Sequence, residues 1–484
     1  MSSMGAVASE TVRRTGPLVG ARVVPARRVW PSLVEMLACA GALGLLALFM
    51  CAGHVHSGGL YYDDWSLLAQ ARFARGGGLL HDLWLTYGQR PGQVLYYAGL
   101  DRALGQDAGA RLALAAAALT LEAGCLYALL RHLDIRARHA GAIAALLLVF
   151  PFSDSAWLWG VMSLSSLAIA AGLLGTMFAL QALQLRGSRA LVLHCISLGL
   201  YLASVLSYEV FAPAGCLAGL LYVRAVGMRR ARARWALDVV AIALALALTR
   251  ALLPIDVATP SRTQTLAGMV AHAGLIAVRG ARLVGAAFLP VGGLDPWVGA
   301  GALAAVFAAA ACLCLRPHTD RALRADLVRW LGIAGAAALV AAASWALYVP
   351  APQHYAPSAA GTVNRVNTAA AVGLAILLYA GIVLLARMLC RLGRAPSGLA
   401  ALGIVAAALG LAGAYLGRAE SDARAWDAAA ADQRRELADV RLALPRLPHG
   451  ATVYVYGAPA TVGPGVPVLN TKLDLSSALL IAYD

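Results

Sequence analysis

This chain is poor in charge. Only 13% of its 484 residues are Asp, Glu, Lys or Arg, and the acidic ones number 24. A soluble domain draws about a quarter of its residues from that set, because much of any folded surface must face water. Lysine is nearly absent, with Lys472 the single example among 39 basic residues. The eight cysteines (Cys39, Cys51, Cys125, Cys195, Cys216, Cys312, Cys314 and Cys390) all sit in or beside apolar runs, which excludes a disulfide framework. Cys312-x-Cys314 has no histidine or second cysteine pair with it, so it is a poor metal site. No Walker loop, dinucleotide fingerprint or His-Glu-x-x-His motif occurs. No repeat of fixed period is visible.

What the chain has in quantity is apolar sequence. Hydrophobic residues make up 61%, and mean hydropathy is +0.72. That balance excludes disorder and predicts a chain solvated mostly by lipid. Apolar runs at 33–53, 108–131, 138–151, 158–184, 190–207, 209–226, 235–253, 296–315, 328–349, 367–388 and 398–416 read as spans, about eleven in all, against a hydrocarbon core of ~30 Å. The net charge of +15 could point to nucleic acid, but the arginines lie in short groups between the spans rather than along one soluble face. The groups at Arg131–Arg138, Arg186–Arg189, Arg224–Arg234, Arg316–Arg329 and Arg387–Arg394 all fall on one side. That is the positive-inside pattern. It predicts a cytoplasmic N-terminus, an uncleaved first helix and an extracytoplasmic C-terminus. Residues 91–105 and 265–288 read as amphipathic helices on the outer interface, since a span at 265–288 would turn the Arg316–Arg329 group outward.

The expected fold is therefore all-α and polytopic, with a small α/β appendage. Residues 1–32 form a basic cytoplasmic segment, 33–416 the membrane domain, and 417–484 the appendage. In that last part, 418–444 reads as a solvated helix ended by Pro445 and Pro448, and Thr452–Tyr456 as a strand. Gly76-Gly77-Gly78 reads as a helix stop and linker.

The first outer loop, 54–107, holds the most informative residues. It carries His54 and His56, then Tyr61-Tyr62-Asp63-Asp64-Trp65, then Gly88-Gln89-Arg90-Pro91-Gly92. Two adjacent carboxylates beside a membrane need a partner or a task. One of them can cap the helix that starts near Trp65, and the other can act as a base toward a hydroxyl nucleophile. The reading leaves open which is which. Tyr62 and Trp65 suit the interface and can stack on a sugar. His54 and His56 are possible divalent-metal ligands with the aspartates, or plain interfacial hydrogen bonders.

This arrangement resembles the GT-C superfamily of polytopic glycosyltransferases, which use sugars carried on polyprenyl phosphates. The resemblance rests on Asp63-Asp64-Trp65 in the loop after the first span, and on architecture over most of the chain. A bacterial group in that superfamily follows an acidic-acidic-Trp motif with Gly-Arg-Pro; here Gln89 intervenes between Gly88 and Arg90-Pro91. The resemblance implies that Asp63 or Asp64 is the catalytic base and that the anomeric centre inverts. Arg90, with Arg365, Arg282 and Arg279 as further candidates, would bind the donor phosphate, although an interfacial arginine also snorkels to headgroups. Glu209 in Ser207-Tyr208-Glu209 would bind acceptor, orient an arginine, complete a metal site or cap a helix. His354, with Gln353, Tyr355 and the Asn364–Asn367 run, would contact sugar or phosphate, or simply be polar loop. Asp154 reads as a cap, and Glu122 as an intramembrane carboxyl.

The implied partners are a polyprenyl-phosphate sugar, a glycan, lipid or protein acceptor, and membrane lipid, with no nucleic acid. The missing nucleotide motif suits such a donor. A lipid-linked glycan polymerase or ligase would carry its large outer loop late, whereas here it comes first. A transporter or flippase would show related halves and broken polar helices at the midplane.

Overall fold

The computed structural model describes residues 32–74, 78–252, 265–317, 319–393, 396–448 and 450–484. The basic segment up to residue 31, Gly76, Gly77 and Arg394 lie outside the described residues.

Helix follows helix. α1 (Leu33–Ser57) starts at Ser32, whose hydroxyl accepts from the Glu35 amide. Three short helices fill the first loop: α2 (Asp63–Phe73), α3 (Leu79–Tyr87) and α4 (Pro91–Leu104). Then come α5 (Ala108–His132), α6 (Ala137–Leu148), α7 (Ser155–Leu158) and α8 (Ser163–Ala182). They are followed by α9 (Ser188–Ser207), α10 (Ala212–Val226) and α11 (Met228–Leu252). After the undescribed stretch stand α12 (Leu266–Phe288), α13 (Pro296–Leu315), α14 (Arg321–Ala346) and α15 (Thr368–Leu392). α16 (Ser397–Ala443) is one helix of 47 residues, and α17 (Lys472–Tyr483) is the last.

Ten described helical segments are long and apolar enough to cross a membrane. α1 exposes Leu37, Leu45 and Phe49, and α16 exposes Leu402 and Leu409. Apolar surface of that extent requires lipid as its solvent. The chain is a multi-pass helical membrane protein with a small C-terminal appendage.

Side-chain pairs fix which helix ends lie together. Arg131 at the end of α5 donates to Glu35 at the start of α1. Arg329 in α14 donates to the Asp134 carbonyl, and Arg387 near the end of α15 pairs with Asp326. The arginine-rich stretches at 131–138, 316–329 and 387–391 thus share one end of the bundle, here the basic end, as their parity predicts. The first loop occupies the other end, where Arg111 at the start of α5 pairs with Asp101 of α4.

α12 is long enough to span, yet its contacts run along that second end. His272 bonds the Val349 carbonyl, Gly280 faces the Trp345 ring, and the Ala287 carbonyl accepts from the Tyr415 hydroxyl. Val349 and Trp345 stand at the end of α14, and Tyr415 packs on Phe150 and Phe152. These contacts join α12 to that end, and Gly285 seats it closely on Pro296 at the start of α13. α4 joins the same end, meeting Ser207 through Gly92 and Ser163 through Tyr96.

Three expectations change. The span at 138–151 is helical only to Leu148, and its 12 residues rise about 18 Å, short of a full crossing. Pro151 stops it, buried 3-10 turns at Pro151–Ser153 and Gly160–Met162 flank α7, and α8 begins only at Ser163. The boundary at 416/417 falls inside α16, which no proline interrupts before Pro445. Thr452–Tyr456 is not a strand. Tyr454 and Tyr456 are 74% and 89% exposed, so nothing covers one face of that alternating run. The described strands are β1 (Thr461–Val462) and β2 (Val466–Pro467), an antiparallel pair.

Candidate functional site

The two aspartates of the first loop part company at the start of α2. Tyr62 precedes the helix with a φ of 45°, and this tight turn lets Asp64 reach back. Its Oδ2 accepts from the Tyr61 amide at 3.1 Å. Asp64 is buried and its Oδ1 has no hydrogen-bond partner. Burial pushes its carboxyl up to about 7, against the pull of Arg111. Asp63, about 100° away around the helix, keeps 34% of its side chain accessible and stands 4.0 Å from Arg365. Its surroundings are still enclosed enough that burial raises its pKa. Arg365 opposes that shift and Asp474 of α17 adds to it. Asp64 therefore holds the turn, and Asp63 faces outward into the site.

Arg90-Pro91-Gly92 builds a second wall. Pro91 opens α4 at its first position, where a missing N–H costs nothing. A Cβ on Gly92 would lie 2.3 Å from the Ser207 Oγ and 3.0 Å from its backbone, so only glycine seats α4 on the end of α9. That contact sets Arg90 beside Glu209. Its Nε and Nη2 donate to Oε2 and Oε1, both at 2.6 Å. Arg250 adds a 3.3 Å contact to Oε1, and the Arg90 guanidinium lies 4.9 Å above the Tyr208 ring. Burial works against the charge on Arg90, but Glu209 outweighs it and raises the arginine's pKa.

The 3-10 turn at Thr362–Asn367 is the third wall. Asn364 donates to Asp154 at 2.6 Å and accepts from the Ser155 amide. Asn367 donates to the Phe152 and Ser358 carbonyls and accepts from Trp345. Both asparagines are buried and pin the turn; Arg365 between them turns into the site. It lies 5.3 Å from the Trp159 ring, 5.5 Å from the Tyr355 ring and 3.5 Å from the Tyr355 hydroxyl. Tyr208 and Tyr348 both stand within electrostatic reach of Arg90 and Arg365. Asp63, Arg365, Arg90 and Glu209 thus gather around one set of aromatic rings.

Tyr62 belongs to the same group, packed edge-on against Trp159 at 6.1 Å. His354 is at the rim, 4.2 Å from the Tyr355 ring. Burial lowers its pKa, and Arg365 and His272 add to that. Two expected residues are elsewhere. The Trp65 indole N–H donates to Gln433 of α16 at 3.1 Å, so its ring serves the docking of the tail. Arg282 is exposed on α12, as is Arg279, and among the described residues no hydrogen bond, ion pair or ring contact joins either to this group.

Other candidates also resolve. His54 is buried with one ring nitrogen on Asp427 at 2.5 Å and the other on the Leu158 carbonyl at 3.0 Å, so it is committed to packing. Among the described residues no three metal-ligating side chains come together. Asp154 makes no cap bond to α7; it holds Asn364, and burial together with neighbouring Asp422 drives it strongly toward its neutral form. Glu122 is buried within α5 near Ser166, away from the first loop.

Trp159, Tyr348 and Asp474 join the site without having been picked from the sequence. Tyr355, picked with His354 from the last long outer loop, stands beside Arg365. Nothing in the spacing links Asp474 to Asp63. No protein-family model, curated protein or solved structure matches this chain, and the chemistry of the site rests on its own residues.

Proposed function

We propose that this chain is a glycosyltransferase of the bacterial inner membrane. It would move a sugar from a polyprenyl-phosphate donor to a glycan, lipid or protein acceptor at the outer face, with the N-terminus cytoplasmic and the C-terminus outside. Asp63 carries the reading. It is an accessible carboxylate at a membrane-bundle end, with its pKa raised, an arginine 4.0 Å away and aromatic rings around it.

Each part then has a task. The acceptor hydroxyl gives its proton to Asp63 as its oxygen bonds to the anomeric carbon, and a carboxylate with a raised pKa is the stronger base for that step. The bond from anomeric carbon to phosphate oxygen breaks on the opposite face, so the centre inverts. The departing polyprenyl phosphate gains negative charge. Arg365 has no carboxylate at hydrogen-bond distance among the described residues, so its donors are available to that charge. Arg90 spends two of its donors on Glu209; it positions the Tyr208–Glu209 wall and offers its remaining N–H groups to substrate. Tyr62, Trp159 and Tyr355 supply flat apolar faces for the sugar.

Purified protein in vesicles, given a synthetic polyprenyl-phosphate sugar and membrane extract as acceptor source, should release polyprenyl phosphate and pass the sugar on. Movement of a sugar lipid across the vesicle wall with no transfer would replace this reading with a transporter.

A further inference from the structure

A cavity of about 470 Å³ opens at the basic end between α6, α15 and α16, far from Asp63. Arg136, Arg138 and Arg387 line its polar side, and one strip of α16 lines its apolar side. We propose that this cavity binds an anionic phospholipid from the leaflet facing the basic end, phosphate toward the arginines and one acyl chain along α16.

Charge is the first argument. Arg136 and Arg138 are exposed and have no ion pair among the described residues, and Arg387 has a single one, to Asp326. These three and Arg329 all lie within electrostatic reach of His139, which forms the cavity floor with its Nδ1 2.8 Å from the Tyr379 hydroxyl. Cations here outnumber carboxylates, and a phosphate diester would restore the balance.

The start of α6 adds a second argument. Its N-cap is Arg136, with no side-chain cap bond and no acidic residue in the first turn. A helix N-terminus already carries partial positive charge, so arginines there add like charge to like. An anion reverses the sign and accepts from amides that lack an intrahelical partner.

The third argument is the shape of the apolar wall. Ala401, Val405, Ala408 and Ala412 recur at helical spacing on one face of α16, and Val405 and Leu409 remain exposed. From Gly398 to Ala412 the strip rises about 21 Å, enough for the tail depth of one leaflet, half of ~30 Å, plus the headgroup boundary. Topology accounts for arginines in these loops; it does not account for an apolar groove leading away from them. Free phosphate would leave that groove unused, and a zwitterionic headgroup would bring a cation against the arginines. Basic pockets between membrane helices suit anionic headgroups.

The test uses the full chain in neutral detergent, with thermal unfolding and native mass spectrometry after adding phosphatidylglycerol, phosphatidylcholine or inorganic phosphate. Phosphatidylglycerol should raise Tm and remain bound one to one; the other two should do neither. The double variant Arg136→Gln, Arg138→Gln should weaken that binding at least tenfold. Leu409→Trp, which fills the groove but keeps the arginines, should do the same. Equal stabilisation by inorganic phosphate would overturn the lipid assignment, as would equal stabilisation by phosphatidylcholine. Undiminished phosphatidylglycerol binding in either variant that melts like the wild type in detergent alone would overturn the site.

Discussion

The two ends of this bundle handle charge in opposite ways. Around the site at the end with the first loop, the arginines each stand beside a carboxylate and are largely enclosed. Arg90 meets Glu209, Arg111 meets Asp101, and Arg365 stands near Asp63 between aromatic rings. At the basic end, arginines outnumber carboxylates, and Arg136 and Arg138 face outward. Charges held in an enclosed setting are strong but costly to unbalance. Charges open to water and headgroups are screened and individually cheap. The first end therefore holds its charges in fixed geometry, and the second leaves them open to their surroundings.

Substitutions should separate the ends in order of effect. Arg365→Gln removes a cation from the departing phosphate and should cut the transfer rate by about 10²-fold or more, read as kcat with saturating donor, while Tm changes little. Glu209→Gln leaves Arg90 with an uncompensated enclosed charge. It should cost about 3 kcal/mol in unfolding experiments, and Arg90→Gln with it should recover part of that loss.

Asp64 predicts a pH effect. Its folded pKa of about 7 lies above the unfolded value, so between about pH 4 and 7 the unfolded state releases a proton that the folded state retains. Stability from this group is complete at low pH and declines as pH rises through that window, at up to about 1.4 kcal/mol per pH unit. Asp64→Asn keeps an oxygen for the Tyr61 amide and should flatten that slope. A slope of unchanged steepness in denaturant titrations would remove Asp64 as its source.

The smaller effects come last. Gln433→Ala gives up bonds to Trp65 and the Pro467 carbonyl and should cost about 1 kcal/mol for a bond lost, loosening the tail as read by limited proteolysis. Arg138→Gln in detergent without added lipid should shift stability by no more than about 0.5 kcal/mol. A loss there as large as that for Glu209→Gln would erase the contrast between the ends.

Much of the architecture was legible because lipid imposes strict rules. Apolar runs mark helices, and arginine groups mark one side. The reading of 265–288 as an interfacial helix followed from Arg316–Arg329, and the helix found there is also long and apolar enough to span. The continuity of α16 through residue 417 was not legible, since a change of surface composition need not break a helix. The site was legible where neighbours in sequence carry it. Asp63-Asp64, Arg90-Pro91-Gly92 and Tyr208-Glu209 were picked out as short motifs, and Arg365 as a polar residue of the last long loop. Long-range packing was not. Trp65 points to a glutamine 368 residues later, and Asp474 reaches Asp63 from α17. The split between Asp63 and Asp64 depends on a positive φ at Tyr62, which no local preference of tyrosine announces.

The central claim is that the accessible aspartate, and not its buried neighbour, takes the acceptor's proton. Sugar transfer from a polyprenyl-phosphate donor, measured side by side for Asp63→Asn and Asp64→Asn at matched folded protein, tests it directly. Asp63→Asn should lose about 10²-fold or more in kcat, with Asp64→Asn losing far less. Full transfer by Asp63→Asn, or an equal loss in both variants, would contradict the account.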